Sequence, residues 1–116
     1  MARVGSVLRR LRPALAGEVL TVGDLVLDPV AHRVKRGTVA VEVGPTEFRL
    51  LKHFMEHPGR VFSRVQLQDA VWGREAEIEL RTVDVHIRRL RKAINPPGTT
   101  DMIRTVRSAG YSLDAG

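Results

Sequence analysis

The sequence predicts an α+β domain in which a small antiparallel sheet is followed by three helices and then by a β-hairpin. Three observations lead there. Four short runs of β-type residues, separated by turn formers, fill residues 19–43. Three later stretches carry apolar residues at helical spacing. A last pair of β-type runs flanks Ser108, Ala109 and Gly110.

Between Val19 and Val43 the runs are VLTVG, LVLD, RVKR and VAVEV, punctuated by Gly23, Asp28-Pro29 and Gly37. Short runs of this kind broken by turn residues mark strands of a small antiparallel sheet. GPTEFRLLKHFMEH follows as the first helix. Gly44 can cap it, Pro45 suits the first helical position, and Glu47 favours the positive helix end. Phe48, Leu51 and Met55 share a face, and Pro58-Gly59 ends the helix. RVF reads as a single short strand. SRVQLQDAVW, the second helix, opens with Ser63 and Gln66 at capping-box spacing, and places Leu67, Ala70 and Val71 inward. GREAEIEL, residues 73–80, is a polar loop. The third helix covers 81–94 and is broken by Pro96-Pro97-Gly98. MIRTVRSAGYSL supplies the hairpin, 103–113. Two helices joined by a loop, the second basic and followed by a hairpin, form the plan of a winged helix-turn-helix.

Ahead of this unit, Val4, Val7, Leu8 and Leu11 fall at i, i+3, i+4 and i+7, and Pro13 stops the stripe. A twelve-residue helix with one apolar stripe needs a partner surface. Residues 1–12 therefore read as the end of another domain's last helix, 13–18 as a linker, and 19–116 as the domain itself.

Composition narrows the function classes. The chain has 116 residues, enough for one modest core, and no cysteine, so it holds neither a disulfide frame nor a thiolate metal site. The absence of thiols fits a reducing compartment, and a cytoplasmic location is expected. No apolar run approaches the roughly 18 residues of a membrane span, and Arg9, Arg10 and Arg12 interrupt any signal-peptide core. The net charge of +6 is unevenly spread. Residues 1–12 hold four arginines and no acid; residues 81–92 hold five cations against Asp84; the other 92 residues sum to −2. A basic patch on a near-neutral body is the footprint of a polyanion partner.

The third helix makes that patch directional. With Val83 at zero and about 100° per residue, Ile87, Leu90 and Ile94 fall within about 40° of it. Arg81, Val85, Arg88 and Lys92 fall on the far side, Arg89 on its shoulder, and His86 and Arg91 at the boundary. A helix face of this width fits the DNA major groove, where arginine can bond guanine and Val85 can meet a thymine methyl. Asp84 can accept from a cytosine amine, orient a neighbouring arginine, or simply favour the helix start. In the hairpin, Thr105 and Arg107 lie two apart and share a face, which lets Arg107 enter a narrow minor groove. Tyr111 either reaches a phosphate or packs. Trp72 either joins the core or points its indole N–H at a phosphate.

GPTEFRLLKHFMEHPGRVFSRVQLQDAVWG, RTVDVHIRRLRKAIN and IRTVRSAGYSL resemble the effector domain of OmpR/PhoB-type response regulators over residues 19–114. Within that family the pattern is most similar to regulators of the phosphate regulon. The resemblance implies a four-stranded N-terminal sheet, three helices and a C-terminal β-hairpin wing. It implies phosphate contacts at Arg64, Trp72, Arg81, Thr82, His86, Arg88, Arg91, Thr105 and Tyr111. Base contacts would fall on Asp84, Val85 and Arg89 in the major groove and on Arg107 in the minor groove. Loop 73–80, with Glu75, Glu77 and Glu79, would meet the sigma subunit of RNA polymerase; its acids also suit an ordinary solvated loop. Residues 1–12 would close a receiver domain served by a cognate histidine kinase. The segment alone is expected to be a monomer that loads head-to-tail on direct repeats. One departure is Leu80, where family members often carry an acid, which bears on the cap of the third helix and on the polymerase contact.

HFMEH, His53 to His57, matches a zinc-hydrolase pattern. Hydrolysis also needs a third ligand and a cleft, and Phe54 and Met55 belong to a small packed helix. No nucleophile pattern and no phosphate-cradling glycine motif is present, so neither an enzyme, a cofactor nor a metal site is expected. The rival readings are a winged-helix module whose basic face meets an acidic protein, and a regulator of the same family with a different regulon.

Overall fold

The computed structural model describes residues 18–73 and 77–114. A four-stranded antiparallel sheet comes first, in the order β1 (Leu20–Val22), β2 (Leu25–Asp28), β3 (Arg33–Arg36) and β4 (Val39–Val41). Three helices follow, α1 (Pro45–Glu56), α2 (Arg64–Val71) and α3 (Leu80–Ile94). A hairpin of β5 (Ile103–Val106) and β6 (Gly110–Leu113) ends the domain. The architecture is the winged helix expected from the sequence, with the boundaries of most elements within a residue or two.

The sheet alternates as a half-covered surface must. Leu20, Val22, Leu25, Leu27 and Val34 point inward, while Thr21, Arg33 and Lys35 point out. Register places Leu20 opposite Leu27 and Leu27 opposite Val34, so the apolar side chains of three strands stack on one face. The β2–β3 turn is closed by Asp28, whose Oδ1 accepts from the N–H groups of Val30 and Ala31 at 3.0 Å each. That apolar face meets α1, whose Phe48, Leu50, Leu51, Phe54 and Met55 are buried. Phe62, Leu67 of α2, four residues of α3 and Met102, Ile103, Tyr111 and Leu113 complete one core.

Arg36 shares the inward face of β3 with Val34, and it is only 5% exposed. Its guanidinium meets the C-terminus of α3. Nη1 donates to the Ile94 carbonyl (2.7 Å) and to Asn95 Oδ1 (2.9 Å), Nη2 to the Thr100 carbonyl (3.0 Å), and Nε to Asp24 (2.6 Å). A buried cation is tolerable only with its donors satisfied; here it also supplies a donor to the last carbonyl of α3, which has no intrahelical partner.

Several local expectations change. RVF forms no strand: Phe62 makes a single bridge to Tyr111, because the next residue, Ser63, already caps α2. Ala70 is exposed, since α2 presents only Leu67 fully inward and Val71 partly. Gly110 serves the hairpin turn at φ 139°, a conformation that favours glycine, and it is constrained further by the Phe62 backbone, which lies where a β-carbon would sit. Ser108 in the same turn is also left-handed, at φ 67°. Residues 1–17, and with them the proposed helix 1–12, lie outside the described residues.

Replacing Arg36 with alanine strips donors from the end of α3 and leaves Asn95 and two carbonyls short of partners. The expected cost is about 2–4 kcal/mol of folding stability. Urea unfolding checks it, and a loss below about 1 kcal/mol would show that this network does not anchor the helix.

Candidate nucleic-acid interface

Helix α3 divides as its angular pattern requires. Val83, Ile87, Leu90 and Ile94 are buried, and Arg81, Val85, Arg88, Arg89 and Lys92 are exposed. Val85 is 45% exposed amid cations, an apolar side chain with no core to join. Capping of α3 begins at Glu79, which makes no side-chain cap bond, and Arg81 pairs with Glu79 at 3.2 Å. Leu80 opens the helix one residue earlier than expected and is 39% exposed. Thr82 is half-buried in the first turn, and its N–H donates to the Glu79 carbonyl.

The flanks of α3 are tied to other elements. Asp84 Oδ1 accepts from Arg64 Nε at the start of α2 (2.8 Å) and from the Tyr111 hydroxyl on β6 (2.6 Å). Burial works to raise the Asp84 carboxyl, but the Tyr111 and Arg64 bonds and the Arg64 charge hold it below its ordinary value. Tyr111 is pushed up, by burial first and then by its bond to Asp84. Tyr111 thus packs and is hydrogen-bonded at once, and Asp84 orients an arginine while remaining near the exposed face.

Arg91 turns toward the hairpin. It pairs with Asp101 at 3.0 Å and donates from Nη2 to the Ile103 carbonyl and to Thr105 Oγ1 (3.0 Å). Two residues expected at phosphates, Arg91 and Thr105, therefore touch each other. Arg107 lies exposed at the hairpin tip, with Ser108 and Ala109. Between the tip and α2 runs a groove lined by Ser63, Arg64, Val65, Leu80 and Tyr111. The α2 start beside it carries a complete capping box: Ser63 Oγ accepts from the Gln66 N–H and Gln66 Oε1 from the Ser63 N–H.

On the opposite flank, Trp72 caps the end of α2, packs against the core, and lies 5.4 Å from the His86 ring. His86 Nδ1 is 2.8 Å from Glu47 Oε2. The sequence pattern gives Glu47 only a place at the positive end of α1; in the structure it is buried. Its spacing was the missed signal, because Glu47 shares a helical stripe with Leu50, Leu51 and Phe54. Arg36 was missed in the same way, two residues from Val34 on an inward strand face. Of the loop acids, Glu77 and Glu79 are exposed, and Glu75 lies outside the described residues.

The HFMEH stretch does bring His53, Glu56 and His57 together, with ligand-type atoms within 4.8 Å. His53 also packs on Phe62, with ring centroids 4.5 Å apart. Its basicity is lowered by burial and by the His57 and Arg60 charges. Arg60 places a fixed cation beside the group, which opposes a metal ion.

Because its folded value is depressed, Asp84 stabilises the fold above its ordinary value near 3.8, and that contribution is lost as pH falls through the lower folded value. Asp84→Asn, which cannot ionise, should therefore show a shallower loss of stability below about pH 4. Thermal unfolding between about pH 2 and pH 6 tests this; identical acid limbs for both proteins would contradict it.

Comparison with known proteins fits this geometry. Residues 37–113 match the family described as transcriptional regulatory protein, C terminal. The phosphate regulon transcriptional regulatory protein PhoB of Rhizobium meliloti is 55% identical over 115 residues, covering 99% of this chain and 51% of that protein. PhoB of Escherichia coli is 53% identical over 111 residues, covering 96% of this chain and 48% of that protein. The chain thus spans about half the length of the curated relatives it matches. Among solved structures, the Klebsiella pneumoniae RstA DNA-binding domain in complex with the RstA box superposes with a TM-score of 0.74 at 30% identity, covering 85% of this chain and 99% of that one. No described helix is long and apolar enough to cross a membrane. The chain belongs to the transcriptional regulatory protein C-terminal family, the DNA-binding domain of OmpR/PhoB-type response regulators.

Proposed function

We propose that residues 19–116 bind double-stranded DNA sequence-specifically, as the effector domain of a two-component regulator of phosphate-starvation genes. The observation that carries this reading is the state of α3. It is fastened to the sheet, to α1, to α2 and to the hairpin, and the one face left open is cationic. Such a helix can enter a major groove without rearranging. Arg89 and Val85 then read base edges, and Asp84 offers its second oxygen to a cytosine amine. Arg107, carried on the exposed hairpin tip, enters the minor groove. Arg64, Trp72, Arg81, Thr82, His86, Arg88, Arg91, Thr105 and Tyr111 surround that centre as phosphate partners. The relatives support the regulon, since they are named for it. In the full-length protein a receiver domain, a histidine kinase and the cytoplasm complete the setting. The exposed Glu77 and Glu79, with Glu75, form the surface offered to the polymerase sigma subunit.

Arg89 and Arg91 separate base reading from backbone anchoring. Arg89→Ala should cost roughly 1–3 kcal/mol of binding and flatten preference at one position. Arg91→Ala should weaken all sequences alike, since Arg91 also steadies the hairpin through Thr105. Binding to a panel of single-base variants of a selected duplex decides, and identical profiles for the two variants refute the assignment.

One module carries one reading helix and one wing, so two must cooperate for tight binding. They should load head-to-tail on direct repeats about 10 base pairs apart, one helical turn, from a monomer in solution. Titration of direct-repeat and inverted-repeat duplexes of equal composition tests this. Equal loading on the inverted repeat, or a stable dimer without DNA, overturns it.

A further inference from the structure

Asp101 lies between α3 and β5, and its carboxylate is half exposed with both oxygens engaged. Oδ1 accepts from Asn95 Nδ2 (2.8 Å), at the cap of α3, and from the N–H of Ile103 (3.1 Å), the first residue of the hairpin. Oδ2 lies 3.0 Å from Arg91 Nε, nearer than Oδ1 at 3.3 Å. One oxygen thus secures the hairpin entry, and the other faces an arginine. Arg91 is committed along one edge in return. Its Nε goes to Asp101, and its Nη2 to the Ile103 carbonyl and to Thr105 Oγ1 (3.0 Å). Its Nη1 makes no hydrogen bond among the described residues. Arginine can only donate, so Thr105 Oγ1 is the acceptor in their bond, and the Thr105 hydroxyl proton is left to be given elsewhere. Thr105 is exposed. Two donors, Arg91 Nη1 and the Thr105 hydroxyl, therefore remain on side chains bonded to each other.

A carboxylate is an unexpected neighbour for two proposed phosphate partners, because it repels the phosphate they would meet. Two effects compete. Repulsion across water, screened by salt, weakens binding by at most about threefold. A long arginine side chain left to be immobilised on binding weakens it by about two- to tenfold. We infer that Asp101 is a positioning residue for DNA binding: it holds Arg91 so that Nη1 and the Thr105 hydroxyl meet one backbone phosphate together, and this ordering outweighs the repulsion. The inference rests on the proposed phosphate contacts of Arg91 and Thr105. Asp101 itself touches no DNA in this arrangement. Its own orientation is fixed from both sides, by Asn95 of the α3 cap and by the backbone of β5. Asn95 in turn is bonded by Arg36, so the position of Arg91 is referred back to the sheet.

Asp101→Asn separates the roles of the two oxygens. The amide oxygen can stay with Asn95 and Ile103, which both donate, while the amide nitrogen replaces Oδ2 and sets a donor against Arg91 Nε. The hairpin entry is kept and the tie to Arg91 is lost. Affinity is measured for the whole chain, at constant pH and salt, on a duplex that the wild-type chain selects from a randomised pool. Asp101→Asn should bind about threefold more weakly, although it removes a negative charge beside the DNA. A double-mutant cycle with Arg91→Ala supplies the readout that a change in stability alone would not move. In the Arg91→Ala background the same substitution should reverse sign and tighten binding, because only the repulsion is left to remove. An Asp101 that merely supports the hairpin would weaken binding in both backgrounds, and one that merely repels DNA would tighten it in both. Either result overturns the inference while leaving DNA binding intact. Arg91→Ala without effect on affinity would overturn the phosphate contact and the inference with it. Failure of the wild-type chain to select any duplex would instead overturn the proposed function.

Discussion

The place of α3 relative to the rest of the domain depends on one buried guanidinium. Arg36 comes from a strand remote in sequence, yet it bonds the last carbonyl of α3, the Asn95 side chain and the Thr100 backbone. The C-terminus of a helix carries partial negative charge and unpaired carbonyls, so a cation held there is favoured twice. Asn95 extends the junction. Its Oδ1 also accepts from the Met102 N–H, and its Nδ2 donates to the Arg91 carbonyl and to Asp101. Sheet, helix end and hairpin entry are thus joined through two side chains. Apolar packing alone would leave α3 free to slide or roll on its stripe; directional bonds at one end fix its register.

The same logic runs along the helix. Near its start, Asp84 holds Arg64 and Tyr111, which belong to α2 and β6. Near its middle, His86 meets Glu47 of α1. Near its end, Arg91 meets Asp101, Ile103 and Thr105. Each tie uses a residue at the boundary between the apolar stripe and the open face. Such residues have two sides, one toward the protein and one toward whatever the open face meets. This explains why the residues expected at phosphates are so often already bonded within the fold: an oriented side chain loses less freedom on binding than a free one.

The fold was legible because its pattern is periodic. The stripe Val83, Ile87, Leu90 and Ile94 set both the buried and the open face of α3, and all five residues placed on the open side are exposed. The Ser63–Gln66 spacing gave the start of α2 for the same reason, a local bond with a fixed offset. What sequence reading missed were polar residues on apolar faces. Arg36 and Glu47 each occupy an inward position by count, but their burial depends on partners 58 and 39 residues away. Periodicity can mark such a residue as anomalous and cannot name its partner. Gly110 is a related case. A turn explains a glycine locally, but the contact that excludes a side chain there is with Phe62, in a different segment.

Magnitudes explain why a self-repelling helix is tolerated. Arg88 with Arg91, Arg88 with Lys92 and Arg89 with Lys92 are like-charged pairs three or four residues apart, and each costs roughly 0.2–0.5 kcal/mol. Arg91 and Lys92 recover part of that by lying in the last turn, where cations are favoured. On the other face, four buried aliphatic side chains contribute roughly 1.5–3 kcal/mol each. The repulsion is therefore small beside the burial that holds the helix down, and the domain folds despite it. Arg88, Arg89 and Lys92 form no ion pair among the described residues, so no internal acid must be displaced before they meet a phosphate. Cations left without ion pairs on a helix whose register is fixed elsewhere retain their electrostatic reach for an external polyanion, and the strength of that attraction is set by salt rather than by the fold.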